Sequence, residues 1–278
     1  MEGNKLTRYL SKAEVFALAF GCAVGWGVFI MPGSNFLPTG GPIGTLIGFI
    51  IGAIVMVIIG RNYHILMQRT NENGGAFSYA KNVFGKDHGF LVSWFLILIY
   101  LAILWANSSA FVLLIRYTFG NVLQFGFCYT VFGYDIYLGE LLFSIIITTA
   151  ICLLCAFKKK VASITQIIFS SILIVGVIFT FIYLLAVNNS NNEIFTPAFS
   201  DSSTPIVQII SIVALMPWAF VGFESISHSQ SEMKFPIKKV FLLMTLAIVF
   251  GALCYILLVG VALVGTRSEE HTSELQSR

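Results

Sequence analysis

Glycines and prolines interrupt two long apolar segments of this chain, and such interruptions free backbone groups that can bind a ligand. The first segment carries Gly21, Gly25 and Gly27 in "GCAVGWG", and a later one carries Pro217 and Gly222 in "MPWAFVG". Proline removes a backbone donor and glycine lowers helix propensity, so both segments are predicted to be helices that stop and restart. Within a membrane, free backbone groups are tolerated only where they face protein or a wet cavity.

The predicted breaks present opposite partial charges. A half-helix that begins near Gly27 offers free N–H groups and the positive end of its dipole, which favours an anion such as a carboxylate. Half-helices that end near Ala23 and near Trp218 offer free C=O groups, which suit an ammonium. A zwitterionic α-amino acid matches both, so the pattern predicts an amino acid site. The alternative interpretation is that these glycines only permit close helix packing.

The composition is that of an integral membrane protein with an all-α fold. Of the 278 residues, 57% are hydrophobic and 10% are charged, whereas soluble domains are about a quarter charged. Several apolar runs exceed the roughly 18 to 20 residues that cross a bilayer as a helix. We therefore expect the lipid bilayer to surround the chain.

Seven membrane spans are expected between a short N-terminal segment, 1–12, and residue 265, and the first and sixth are interrupted. The spans are predicted at 13–37, 42–62, 89–118, 138–157, 161–187, 206–230 and 238–265. In the second span, glycines recur every four residues, a spacing that predicts close packing against a neighbouring helix. These glycines are Gly44, Gly48 and Gly52.

Basic residues indicate the orientation. Among the first 265 residues, thirteen Lys and Arg lie in the N-terminal segment and in the loops after the second, fourth and sixth spans, and Arg116 alone lies on the other side. The N-terminus is therefore predicted to be cytoplasmic. The net charge of +3 then reflects membrane topology, so nucleic acid is not expected as a partner.

The last thirteen residues, "TRSEEHTSELQSR", change abruptly to a polar and aperiodic sequence. One interpretation is a hydrophilic tail on the outer face. The other is that "RSEEHTSELQS" resembles the translation of a common sequencing adapter. We expect the second, in which case 266–278 would be an assembly artefact and the chain would be truncated after its seventh span.

Three motifs resemble those of the amino acid–polyamine–organocation superfamily of permeases. "GCAVGWGVFIMPG" resembles its first-helix glycine motif, and "WAFVGFES" resembles its sixth-helix F-x-G-x-E motif. "NENGGAFSYAKNVFG" resembles its P-x-x-G-G loop, with Asn71 for the usual Pro and Phe77 for the usual Tyr. The resemblance implies a LeuT-type five-plus-five inverted-repeat fold, of which the first seven helices would be present. It also implies transport of amino acids or related amines by alternating access.

The resemblance carries candidate substrate-binding residues onto three spans. In the first span they are Ala23, Gly25, Trp26 and Gly27, at the carboxylate end of the site. In the sixth span they are Trp218, Ala219 and Val221, with Trp218 as an aromatic lid. In the third span a side wall is formed by residues on one helical face, Ala102, Ile103, Asn107 and Ala110.

Two polar residues inside spans have competing interpretations. Glu224 has either a gating or proton-linked role, resembling that of the family's glutamate at this position, or forms a hydrogen bond that caps the helix break. Asn107 either lines the site or bonds a neighbouring helix. The fifth span has no basic residue, which argues against proton coupling through a lysine there.

Alternative functions are weighed against the same residues. Within transport, exchange of amino acids competes with ion-coupled uptake. A seven-span receptor or sensor of the usual type would have an outward N-terminus, which the basic residues contradict. A membrane-embedded enzyme would need converging acidic or histidine side chains at depth. Cys152 and Cys155 are expected to be plain core residues, so neither a metal nor a cofactor is predicted. We expect a permease in the bacterial cytoplasmic membrane.

Overall fold

The first apolar segment forms two helices separated by a three-residue break. The structure, a computed structural model, describes residues 8–70, 72–131, 133–187, 197–201 and 203–276. Helix α1, Lys12–Ala23, begins with a capping box in which Ser11 and Glu14 bond each other's backbone N–H groups. Helix α2, Gly27–Met31, follows the break and continues through a π-helical turn, Pro32–Phe36.

Helix α3, Leu37–Arg69, contains a chain reversal at Gly41, where φ is 61° and ψ is −177°. The rings of Phe36 and Phe49 lie 4.9 Å apart, centre to centre, although thirteen residues of straight helix would separate them by about 20 Å. The reversal therefore falls between the predicted first and second spans. A side chain on Gly41 would also overlap the backbone of Phe199.

The sixth apolar segment is also broken, as the sequence predicts. Helix α8, Pro205–Ala219, is followed by a turn at Gly222 and by a 3-10 helix, Phe223–Glu232. A second 3-10 turn, Ile237–Lys239, leads into α9, Val240–Gln276. The backbone of α9 thus stays helical past Gly265, where the seventh span was predicted to end.

The chain forms two compact units. The first comprises Met1–Gly75 and Ser163–Arg278, and the second comprises Ala76–Ala162. In the first unit, α1, α3, α8 and α9 pack on one another. Helix α7, Lys159–Val187, belongs to the first unit from Ser163 onward.

The second unit contains α4, Ala76–Phe84, α5, Lys86–Phe119, and α6, Leu138–Phe157. Between α5 and α6 lie a 3-10 turn, Gly120–Leu123, and two strands, β1, Cys128–Val131, and β2, Tyr134–Tyr137, which pair antiparallel. The hairpin is a feature that the sequence analysis did not predict. The Arg116 guanidinium bonds both carboxylate oxygens of Glu140, which is 1% exposed, and also the carbonyl of Asp135. This ion pair ties the hairpin to both helices.

Six helical segments of the described chain are long and apolar enough to cross a membrane, which makes this a multi-pass membrane protein. They are Gly27–Arg69, Lys86–Leu123, Leu138–Phe157, Lys159–Ala186, Pro205–Glu232 and Ile237–Gly265. The first of them holds the reversal at Gly41, and the twelve residues of α1 precede it.

The glycine series of the second span packs closely on its neighbours, with Gly48 and Gly52 on α8 and Gly44 on the Phe199 ring, and this confirms its predicted role. A Cβ on Gly48 would lie 2.5 Å from Ile212, and one on Gly52 would lie 2.0 Å from Met216. Both positions therefore require glycine for the helices to approach this closely.

The expectation for Cys152 and Cys155 was wrong, because both side chains are exposed on α6. Since a membrane span shows apolar side chains to lipid as readily as to protein, hydropathy does not separate the two faces.

The residues before α1 pair with the segment that follows the sixth span. The N–H groups of Tyr9 and Leu10 both donate to the Glu232 carbonyl, and the N–H of Lys234 donates to the Leu10 carbonyl. The Tyr9 hydroxyl donates to the Glu232 carboxylate over 3.0 Å. Burial, together with this bond, raises the pKa of Tyr9 to about 12.

Candidate functional site

The two helix breaks lie against each other in the first unit. Gly222 has a left-handed φ of 103°, and a Cβ there would lie 2.9 Å from both the Cβ and the carbonyl oxygen of Cys22. Glycine is required at this position by conformation and by space. The end of α1 therefore rests directly on the turn that ends α8.

The first break opens the helix so that both kinds of backbone group are released. The Val24 N–H donates to the Phe20 carbonyl over 2.7 Å and closes α1. The N–H groups of Val28 and Phe29 donate to the carbonyls of Gly25 and Trp26 and open α2. Within the described part of the chain, the N–H groups of Gly25 and Trp26 themselves have no hydrogen bond. These two groups and the first N–H of α2 form the donor end of the site.

The second break is capped by a side chain. Helix α8 ends at Ala219, and the N–H of Phe220 donates back to the Met216 carbonyl over 3.0 Å. The Gly222 N–H then donates to Oε2 of Glu224 over 2.9 Å. The structure thus contains the capping hydrogen bond that was one of the two interpretations of Glu224. Its carboxylate holds the turn shape that lets α1 approach.

The seventh span supports both breaks through one face of α9. Gly251 lies where a Cβ would be 3.0 Å from the Phe220 ring and 3.1 Å from Val24, so one residue of each break packs on it. One turn further along, the Tyr255 hydroxyl donates to the Ala219 carbonyl over 3.2 Å. Neither residue was predicted from the sequence. The available signal was a glycine and a tyrosine four residues apart in an otherwise apolar span, "GALCY".

The candidate residues of the first and sixth spans are brought together, with different exposures. Ala23 and Ala219 end their helices and are buried, each 3% exposed. Gly25, Trp26, Gly27 and Val221 are half-buried. The Trp218 side chain is 60% exposed.

The candidate residues of the third span lie on α5 in the second unit. Ala102 is exposed, Ile103 and Asn107 are half-buried, and Ala110 is 6% exposed. The Asn107 amide donates to the Ile103 carbonyl of its own helix over 2.9 Å. This intrahelical bond is neither the site contact nor the bond to another helix that the sequence suggested.

The site is therefore built mainly from backbone dipoles. Two side chains bond the backbone at the second break, the Glu224 carboxylate at the Gly222 N–H and the Tyr255 hydroxyl at the Ala219 carbonyl. No group of three or more His, Cys, Asp or Glu that could hold a metal lies in the part of the chain described. Such an arrangement can bind a ligand that carries one anionic and one cationic group.

Comparisons with known proteins agree with this architecture. A family of amino acid permeases matches residues 10–276. The arginine/ornithine antiporter of Pseudomonas aeruginosa is 24% identical over an alignment of 279 positions, which covers 94% of this chain and 52% of that protein. The serine/threonine exchanger of Bacillus subtilis is 28% identical over 99 residues, 36% of this chain and 23% of that protein.

A third relative, the amino-acid permease RocC of Bacillus subtilis, is 29% identical over 92 residues, 33% of this chain and 19% of that protein. The chain spans about half the length, or less, of the curated relatives it matches. The family match covers almost every residue and agrees with the motifs of the first and sixth spans, the broken helices and the apolar segments. The chain belongs to the amino acid permease family.

Proposed function

We propose that the protein moves an amino acid or a related amine across the membrane by alternating access. The observation that supports this proposal is the contact between the two broken spans, where Gly222 lies against Cys22 at the end of α1. The chain covers 52% of the arginine/ornithine antiporter that it matches, so the transport activity is proposed for the protein as a whole.

In this proposal the substrate binds as a zwitterion. Its carboxylate accepts hydrogen bonds from the donor end formed by Gly25, Trp26 and Gly27. Its ammonium donates to the carbonyl ends of α1 and α8, near Ala23 and Ala219. Trp218 and Val221 flank the end of α8 in sequence, and the exposed indole would close over the ligand. The side wall of Ala102, Ile103, Asn107 and Ala110 stays a prediction from the sequence resemblance.

The proposed location is the plasma membrane, with the N-terminus in the cytoplasm. The asymmetric distribution of basic residues supports this orientation. The paired segment formed by Tyr9, Leu10 and Glu232 would then close the cytoplasmic side of the first unit.

Exchange of one amino acid for another is the second candidate, and the names of two relatives favour it. One relative is a serine/threonine exchanger and another is an arginine/ornithine antiporter. Ion-coupled uptake would instead need a coupling ion, and a proton carried through Glu224 is one such version.

The test is uptake into proteoliposomes that hold the complete protein. Labelled serine, threonine, arginine and ornithine would be supplied with an inward proton gradient, or with unlabelled amino acid inside and no gradient. Acceleration by internal amino acid alone indicates exchange, and acceleration by the gradient alone indicates coupled uptake. Failure to move any α-amino acid or amine under either condition would contradict the proposed function.

A further inference from the structure

Tyr255 and Gly251 of α9 contact residues of both helix breaks although neither belongs to a substrate motif. Tyr255 is 1% exposed, and its ring is surrounded by three aromatic rings, those of Phe36, Phe49 and Phe220. These rings come from the first span, the second span and the turn after α8. The tyrosine is therefore held on all sides, and its hydroxyl has a fixed position.

That hydroxyl meets both breaks. It donates to the Ala219 carbonyl over 3.2 Å, at the last residue of α8. It also lies 3.5 Å from where a Cβ on Gly27 would stand, at the first residue of α2. A phenylalanine would keep the ring but remove the hydrogen bond that ties α9 to the end of α8.

Gly251 supplies the second contact, one helical turn before Tyr255. Its missing side chain lets Val24 and Phe220, which are 3% and 0% exposed, approach the same point on α9. An added methyl group would press on one residue of each break at 3.0 to 3.1 Å. The two α9 residues thus fix where the end of α8 stands relative to the start of α2.

We infer that Tyr255 and Gly251 are positioning residues that set the distance between the donor end and the carbonyl end of the substrate site. They act through Ala219, Val24 and Phe220 and touch no substrate. This inference rests on the proposed function for its consequence in transport, but its structural part can be measured without transport.

The test compares Tyr255→Phe with Tyr183→Phe, a matched control on α7 where the tyrosine is 59% exposed. Hydrogen–deuterium exchange of the purified chain in nanodiscs would follow the amides of 219–223 and 25–28. Loss of one hydrogen bond is expected to speed their exchange about three- to tenfold in Tyr255→Phe and not at all in the control. Gly251→Ala is expected to do the same, whereas Gly176→Ala, with open space around its Cβ, is not.

Transport by the complete protein supplies the second readout. Tyr255→Phe is expected to raise the KM for amino acid about three- to tenfold with little change in maximal rate per inserted molecule. Unchanged exchange at both breaks would overturn the inference, and so would faster exchange along all of α9 with KM unmoved, because that result indicates a general packing role. If the unaltered protein transports no amino acid, the proposed function fails, and exchange confined to the breaks still supports the positioning role.

Discussion

At the scale of single residues, Gly27 gives the most direct test of the donor end. Its Cβ would lie 3.2 Å from the Met31 sulfur and 3.5 Å from the Tyr255 hydroxyl, so the larger valine side chain would crowd both groups. We predict that Gly27→Val abolishes uptake while the protein still inserts in the membrane. Gly176→Val, at a position with open space, is the control. Normal uptake of labelled amino acid by Gly27→Val would contradict the proposal that this break binds the carboxylate.

Substitution of Glu224 distinguishes its two proposed roles, capping the break and carrying a proton. Glutamine keeps an oxygen that accepts from the Gly222 N–H but carries no charge and no titratable proton. If the residue only caps the break, Glu224→Gln transports at near the normal rate and Glu224→Ala loses more than about tenfold, since a turn N–H is left unpaired. If the residue carries a proton, both variants lose gradient-driven uptake. The measurement is initial uptake rate with and without a proton gradient.

At the scale of elements, the packing of α3 on α8 depends on glycine. We predict that Gly52→Ala destabilises the first unit by about 1–3 kcal/mol, because its methyl group would overlap the Met216 side chain. Gly60→Ala is the matched control, since its Cβ would stand at an ordinary 3.6 Å from Phe223. Thermal unfolding in detergent is expected to show a lower midpoint for Gly52→Ala alone. Equal midpoints would show that α8 can move away from α3 without cost.

The features that were predicted correctly from the sequence are those that residues within a single segment determine. The breaks at Val24–Trp26 and at Gly222 follow from glycine and proline, because the backbone preferences of these residues do not depend on contacts with other helices. The Gly48 and Gly52 contacts follow from a periodic spacing on one helix. By contrast, the Tyr255 hydroxyl meets the Ala219 carbonyl only because α9 and α8 are packed, and an isolated tyrosine in an apolar span gives no indication of its partner.

Two other features could not be predicted from the sequence, and each has a physical reason. The β1–β2 hairpin has strands of four residues, each too short to show a clear alternation. Asn107 bonds its own helix, and a polar residue in a span has this choice as well as a site or a neighbouring helix. The third-span wall therefore stays a prediction, and the broken spans carry the proposal.

At the scale of the whole molecule, the chain is a multi-pass membrane protein whose two broken spans meet on the seventh. Backbone dipoles at helix ends supply opposite partial charges without buried ionic side chains, which a membrane protein holds only at high cost. The family match over residues 10–276 and the relatives that exchange amino acids agree with a zwitterionic ligand as the proposed substrate.

The central claim is that the site binds both charged groups of one small zwitterion. The measurement is competition for binding of a labelled amino acid to the complete protein by the same amino acid, by its carboxamide and by its desamino analogue. The account predicts that each analogue binds at least about tenfold more weakly than the parent, because one helix end is left without its partner charge. If either analogue competed as well as the amino acid, the corresponding helix break would not bind that group, and the account would be contradicted.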